Sequence, residues 1–322
     1  MIHFSIQHHG DNWEHLYWLA KSLASAQGSI DVALDGSGEL ATQLGARLAG
    51  PSVTVRQSLP VVWAGPSVVM QMREAMAHSV GVPGWEWFIN LSGSCIPLVD
   101  PYQMAQRLRA LQSRTGKHSF VFSFQVKRAP VWVPYAGPGS GKVAKLFRVP
   151  YVGDLAVERL VEAGRFNPVA EIEMRRSLWC AELATATGKQ LLLRGLMPPE
   201  LQDRQAFWRQ YPYTLGRQWV VLHRKVVEWL VSSPQVSQVA TLLGQTFLPD
   251  ETFFQTCLAS APPDLKEGID MKNNLRTKMG TPGRITAESL AHLAIGDALF
   301  SRKASGPLPA LHRAAETLWQ RP

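Results

Sequence analysis

A short acidic motif is a candidate for proton-transfer chemistry. Asp250 and Glu251 follow Pro249 in the segment FLPDETFFQTCL, and apolar residues at helical spacing follow them. Proline is favoured in the first turn of a helix, and acidic residues there stabilise the positive end of the helix dipole. The pattern therefore predicts a helix that begins near Pro249 and presents Glu251 in its first turn. Taken alone, the motif favours a buried helix whose acidic start is merely structural.

Basic residues follow this motif in two segments, NNLRTK and LFSRK. They are Arg276, Lys278, Arg302 and Lys303. A carboxylate can accept a proton, while fixed cations stabilise departing phosphate groups. Transfer from a sugar diphosphate without a metal ion requires this combination. Spacing along the chain does not establish that these groups meet in space.

Two other motifs are less informative. Residues 137–143, GPGSGKV, are one residue short of a phosphate-binding loop, and Val143 stands where that loop has a Ser or Thr, so a surface loop is expected. His8 and His9 are adjacent on a predicted strand and point to opposite faces, so they cannot chelate one metal ion together. One of them is expected to line a pocket at the end of that strand.

The composition excludes several classes of protein. The net charge of +8 (33 basic and 25 acidic residues) favours anionic partners such as nucleotide diphosphates, nucleic acid or an anionic membrane surface. The basic residues do not alternate with aromatic residues, so nucleic acid is not expected. The three cysteines, Cys95, Cys180 and Cys257, include no close pair, and neither a disulfide framework nor a thiolate metal site is expected. Without a long apolar stretch or a leader pattern, we expect a cytoplasmic protein, with peripheral membrane contact allowed by its charge.

The elements that must position these residues alternate along the chain. FSIQHH, IDVALDG, SVTVRQ and WEWFINLSGS are predicted strands, and amphipathic helices lie between them. Such alternation favours an α/β fold with a mostly parallel sheet. We expect one domain over residues 1–322: a nucleotide-sugar-binding half at 1–128, a variable insert at 129–213 with loops and a few helical turns, and a catalytic half at 214–322. Residues from Thr286 onward are predicted to be helical.

Four blocks of this sequence resemble the core-2/I-branching β-1,6-N-acetylglucosaminyltransferases and the related xylosyltransferases, and they occur in the order found in that family. They are FSIQHH with VALD, VVWAGPSVVMQMREAM with GWEWFINLSGSCIPL, GRQWVVLHRKVVEWL with TFLPDETFFQTCL, and NNLRTK with DALFSRK. The sequence departs from the family pattern at Cys95, where the family usually has an acidic residue, and at Leu248, which replaces a Ser.

The resemblance implies a GT-A type nucleotide-sugar-binding fold and an inverting transferase that needs no metal cofactor. The sequence shows no Asp-x-Asp at a strand end. By resemblance, Glu251 is the general base. The donor-binding residues that the resemblance implies are His8, Asp35, Trp63, Arg276 and Lys303. The implied partners are a UDP-sugar, with N-acetylglucosamine or xylose favoured, and a glycan or lipid-linked saccharide.

Two alternatives belong to other functional classes. A non-catalytic member of the fold would bind a nucleotide or glycan without turnover. A glycoside hydrolase would pair Glu251 with a second carboxylate such as Asp250, Asp35 or Asp100 across the sugar. The cations at Arg276 and Lys303 have no task in hydrolysis, which favours transfer.

Overall fold

The computed structural model describes residues 1–9, 13–24, 28–35, 38–48, 50, 52–58, 61, 65–125, 178–184, 190–196, 210–211, 214–243, 249–276, 284–293 and 296–320. Its strands are β1 Ile2–His9, β2 Ser29–Asp35, β3 Val53–Gln57, β4 Trp87–Ser92, β5 Cys95–Pro97, β6 Ser119–Gln125, β7 Leu178–Ala184, β8 Gln190–Leu196, β9 Thr214–His223, β10 Ile269–Asp270 and β11 Phe300–Arg302. Its α-helices are α1 Trp13–Ala24, α2 Gly38–Leu48, α3 Pro66–Val80, α4 Pro101–Thr115, α5 Arg224–Ser232, α6 Pro234–Leu243, α7 Phe253–Ala259, α8 Pro263–Glu267, α9 Ala287–Ala291 and α10 Leu308–Trp319.

A seven-stranded sheet forms the centre of the described structure, with the strand order β10-β6-β9-β4-β1-β2-β3. The neighbouring strands β4, β1, β2 and β3 are parallel, and β10 is parallel to β6. Strand β9 is antiparallel to both β4 and β6, so it alone opposes the direction of the other strands in this sheet. The expected α/β class, with a mostly parallel central sheet flanked by helices, is confirmed.

Alternation along the strands separates two apolar layers. On β4, Trp87 and Ile89 belong to a cluster with Leu16 and Leu19 of α1 on one face of the sheet. Phe88, between them, points to the other face and belongs to a cluster with residues of α3, α5 and α7. Successive side chains of a strand face opposite sides, so a strand covered on both faces is apolar throughout. This explains the apolar run WFI at residues 87–89.

Local sequence sets the ends of several helices. Helix α4 has Pro101 in its first turn, the Asp100 side chain accepts a hydrogen bond from the backbone N–H of Tyr102, and Gly116 follows the helix with φ of 69°. Glycine adopts this left-handed conformation without a steric penalty. The helix N-terminal and C-terminal signals are therefore readable from sequence at this element.

The structure corrects two sequence predictions. The chain after Thr286 is not continuously helical, because Phe300–Arg302 pairs with β5 as a short antiparallel strand between α9 and α10. A three-residue strand is defined by its partner and has too few residues to show a period of its own. The acidic motif forms a separate 3-10 turn, Pro249–Glu251, and α7 begins at Phe253. Within the predicted insert 129–213, the described residues include the antiparallel pair β7 and β8, and the rest of the insert lies almost entirely outside the described residues.

Candidate functional site

The carboxyl ends of β1, β2 and β4 lie at one edge of the sheet. In the parallel pairing, His9 of β1 is opposite Asp35 of β2, and Gln7 of β1 is opposite Ser92 of β4. In open α/β sheets, ligands bind outside the carboxyl ends of the strands. The predicted donor-binding residues His8 and Asp35 are thus at neighbouring strand ends on this edge. Trp63 and the side chain of Asp35 lie outside the described residues.

His8 is buried against the turn that follows β4. The Gly93 backbone N–H donates a 2.9 Å hydrogen bond to the Gln7 carbonyl, and a Cβ added to Gly93 would overlap Nδ1 of His8. Glycine is therefore required at this position for the ring of His8 to lie beside the turn Ser92–Cys95. This turn is the segment that carries the departure at Cys95.

Arg276 is held by two hydrogen bonds and two aromatic rings. Its Nη1 donates to Cys95 Sγ at 3.2 Å, and its Nη2 donates to the Asn90 carbonyl at 2.9 Å. The centre of the guanidinium lies 4.7 Å from the Trp219 ring centroid and 5.5 Å from that of Phe300. The structure thus fixes this predicted donor-binding residue against β4, β5 and β9.

Arg302 lies over the same tryptophan. Its guanidinium is 4.6 Å from the Trp219 ring centroid, and the pairing of β11 with β5 places its Cα opposite that of Cys95. Burial lowers the pKa of Arg302, the charges of Cys95 and Asp250 oppose that shift, and the charge of Arg276 adds to it. Two arginines therefore share one ring at the sheet edge. Trp219 was not among the sequence-predicted site residues; its signal was an aromatic residue in the strand GRQWVVLH.

Lys303 is exposed to solvent next to these arginines. Partial burial lowers its pKa, and the positive charges of Arg302 and Arg284 lower it further. Its neighbours are thus cations, so an anion bound here would relieve like-charge repulsion. We call Arg276, Arg302 and Lys303 the cationic group.

The acidic turn Pro249–Glu251 is attached to the strand that carries Trp219. The Gln255 side-chain amide donates to the Arg217 carbonyl at 2.8 Å and to the Asp250 carbonyl at 3.2 Å. Strand β9 approaches β6 and α7 closely at Gly216, where an added Cβ would overlap the Phe122 carbonyl oxygen and lie 2.7 Å from Cγ of Gln255. The charge of Asp250 is close enough to Arg302 to raise the pKa of that arginine. The turn with half-buried Glu251 is therefore held beside the cationic group.

Within the described ranges, no group of three or more His, Cys, Asp or Glu side chains is arranged to hold a metal ion. Arginine and lysine donors are the charged groups that the structure places near the turn. None of the described helices is long and apolar enough to cross a membrane.

Comparison with known families identifies the class of protein. The model of the Core-2/I-Branching enzyme family matches residues 39–131 and 186–279, together more than half of the chain. The chain belongs to this family of branching enzymes. The matched segments contain Trp63, Glu251 and Arg276, whereas His8, Asp35 and Lys303 lie outside them. No curated protein matches the chain.

Solved structures are similar in part of the chain. One is a 4-diphosphocytidyl-2C-methyl-D-erythritol synthase from Anaerococcus prevotii, with 10% identity and a TM-score of 0.28, covering 42% of this chain. This chain spans 60% of the length of that structure. Another is a mannose-6-phosphate isomerase from Helicobacter pylori, with 8% identity and a TM-score of 0.30, covering 76% of this chain and 80% of the other.

Proposed function

We propose that this protein is an inverting, metal-independent glycosyltransferase that moves a sugar from a UDP-sugar to a hydroxyl group of a glycan or lipid-linked saccharide. The observation that carries the proposal is the pair Arg276 and Arg302 over Trp219, with the acidic turn beside it. The paired N–H donors of a guanidinium match two phosphate oxygens in geometry and in charge. N-acetylglucosamine or xylose is the favoured sugar, on the basis of the sequence resemblance.

In the proposed reaction, Glu251 accepts the proton of the acceptor hydroxyl. The acceptor oxygen then bonds to the anomeric carbon while the bond from that carbon to the UDP oxygen breaks. Attack from the face opposite the leaving group inverts the configuration. A base on a short turn anchored to a strand by Gln255 is held more precisely than one on an unattached loop.

The cationic group acts on the leaving diphosphate. Negative charge increases on the phosphate oxygens as the bond to the sugar breaks, so fixed positive donors stabilise the transition state more than the ground state. Arg276 and Arg302 are already positioned by Trp219, which reduces the reorganisation that accompanies the reaction. Lys303 would approach the same phosphates from solvent. His8, Asp35 and Trp63 would contact the nucleotide side of the donor.

Charge also supports the acceptor proposal. The net charge of +8 favours peripheral contact with an anionic membrane surface, where a lipid-linked saccharide would be available. In that setting the protein would act at the cytoplasmic face. Binding of the purified protein to anionic and neutral vesicles, compared at two salt concentrations, tests this part separately.

A donor screen tests the reaction itself. UDP release is measured with UDP-sugars and acceptors in the presence of EDTA, for the natural protein, Glu251→Gln, and the control Glu267→Gln, whose side chain is exposed on α8. We expect Glu251→Gln to lower kcat by about 10²- to 10⁴-fold while UDP affinity is retained. Glu267→Gln should behave like the natural protein.

Two results would contradict the proposal. Turnover that depends on added Mn²⁺ would refute the metal-independent mechanism. Unchanged turnover in Glu251→Gln would remove Glu251 as the base.

A further inference from the structure

Cys95 is a buried sulfur surrounded by hydrogen-bond donors and cations. It is completely buried, at 0% exposure. Its Sγ lies 3.2 Å from Arg276 Nη1, 3.3 Å from the Ser92 backbone N–H nitrogen and 3.4 Å from Ser92 Oγ. The first two groups can only donate. A thiolate can accept hydrogen bonds from all three.

The charges around Cys95 favour its ionised form. Burial alone raises the pKa of the Cys95 thiol, but the charge of Arg276, the hydrogen bonds from Ser92 and Arg276, and the charge of Arg302 outweigh burial and lower that pKa. Cys257 provides a contrast, because it is also fully buried but lies in the apolar cluster beside α7, where burial strongly raises its pKa. The two cysteines therefore differ in the charges that face them.

Other titratable groups face Cys95 from the surrounding elements. His15 of α1 is hydrogen-bonded through Nε2 to the Cys95 carbonyl at 3.0 Å, and burial lowers its pKa to about 4, so it is neutral near pH 7. His8 of β1 lies against Gly93, two residues before Cys95 in the chain. The charge of Asp250, in the acidic turn, acts on Arg302, the arginine that also interacts with Cys95. Arg276 and Arg302 are thus the permanent charges nearest to the sulfur.

Arg276 has no carboxylate partner among the residues that the structure describes. An arginine that is partly buried needs an anion or several acceptors to offset its lost hydration. The sulfur and the Asn90 carbonyl occupy two of the five N–H donors of the guanidinium, which leaves three for a ligand. By the resemblance described above, Cys95 also stands where the family usually has an acidic residue.

We infer that Cys95 is a positioning residue whose thiolate replaces a carboxylate as the counter-ion of Arg276 and aims the free N–H groups of that arginine at the donor diphosphate. The part that concerns the diphosphate rests on the proposed function. The ion pair between Cys95 and Arg276 does not, and it can be tested in the free protein.

The ion pair is tested by following thiolate absorbance in the ultraviolet as the pH is raised, as the difference between the natural protein and Cys95→Ser. We expect Cys95 to ionise below the pH of about 8.5 at which an ordinary cysteine titrates. The control Cys257→Ala should leave this titration unchanged. Ionisation of Cys95 at or above the ordinary pH would overturn the inference while leaving the proposed function intact.

The positioning role is tested by calorimetry with UDP as the probe. Cys95→Ser should weaken UDP binding by about 10-fold, the effect of one hydrogen bond to a charged group, whereas Cys95→Asp should retain affinity within about 3-fold. A mere change in net charge predicts the opposite, because removing an anion would tighten binding of UDP. Tighter binding by Cys95→Ser would therefore overturn the inference.

The pH profile separates positioning from a packing defect. The ratio of UDP affinities of the natural protein and Cys95→Ser cancels the ionisation of UDP itself. This ratio should fall towards one as the pH drops through the pKa of Cys95. The ratio of the UDP affinities of Cys95→Asp and Cys95→Ser should stay above one to lower pH. A ratio that does not fall as the pH drops through the pKa found in the thiolate titration would refute a charged role. Absence of UDP binding by the natural protein would refute the proposed function and the diphosphate part together, with the thiolate titration still deciding the ion pair.

Discussion

Replacement of Arg276 by lysine preserves the positive charge and removes the planar guanidinium, whose N–H donors lie on separate nitrogens. In the structure, two different nitrogens of the guanidinium reach Cys95 Sγ at 3.2 Å and the Asn90 carbonyl at 2.9 Å, and the flat face lies over Trp219. A lysine ammonium is one compact charge on a flexible stem, so it cannot make both contacts and also face a phosphate. The variant therefore tests geometry apart from charge.

The expected loss follows from these contacts. A hydrogen bond to a charged group is worth about 1.5 to 3 kcal/mol. A lysine at this position loses one such bond, either to the diphosphate or to the protein. UDP affinity then falls by about 10- to 100-fold. Because the charge is retained, the salt dependence of UDP binding should change little. Both quantities can be measured by isothermal titration calorimetry at two salt concentrations.

The matched control is Arg114→Lys. Arg114 forms an exposed ion pair with Asp297 at 2.8 Å, and exposed pairs of this kind contribute little. It should bind UDP as the natural protein does. Circular dichroism and thermal unfolding establish that both variants fold. Natural affinity in a folded Arg276→Lys would refute the argument that the guanidinium geometry matters.

Three further predictions concern stability and assembly of the site. Asp31→Asn should lower the free energy of unfolding by about 3 kcal/mol in urea titrations, because Asp31 is fully buried and bidentate to Arg56; a change under 1 kcal/mol would show that Arg56 is satisfied otherwise. Burial lowers the pKa of His15 to about 4, so the unfolded chain binds this proton more readily, and the His15 contribution to stability should fall by about 3 kcal/mol as the pH drops from 6.5 to 4; urea titrations of His15→Gln should show a total loss smaller by about that amount. Gly216→Ala should displace Gln255, which holds the acidic turn, and lower turnover by about 10-fold or more, since its Cβ would overlap the backbone of β6. Gly45→Ala in α2, with 3.7 Å to its neighbour, should instead raise stability by up to about 1 kcal/mol in thermal unfolding, and equal behaviour of the two variants would contradict this.

Local patterns were sufficient for much of the fold. Strands such as WFINL and helices such as PYQMAQRLRALQSRT carry their periodicity and end signals within about fifteen residues, so their type and order are readable without contacts. The short strand β11 is the counterexample, because its conformation depends on pairing with β5. The same dependence explains why Trp219 and Arg302 were not identified as partners of Arg276.

The sequence by itself determined the α/β class, the acidic motif, the basic residues that follow it and the resemblance to one glycosyltransferase family, because each is encoded by neighbouring residues or by blocks in a recognisable order. Tertiary structure alone decided which cations share the ring of Trp219 and that Cys95 contacts an arginine 181 positions away. Those contacts depend on strand pairings between distant segments, and the free energy that selects them comes from burial in the assembled sheet.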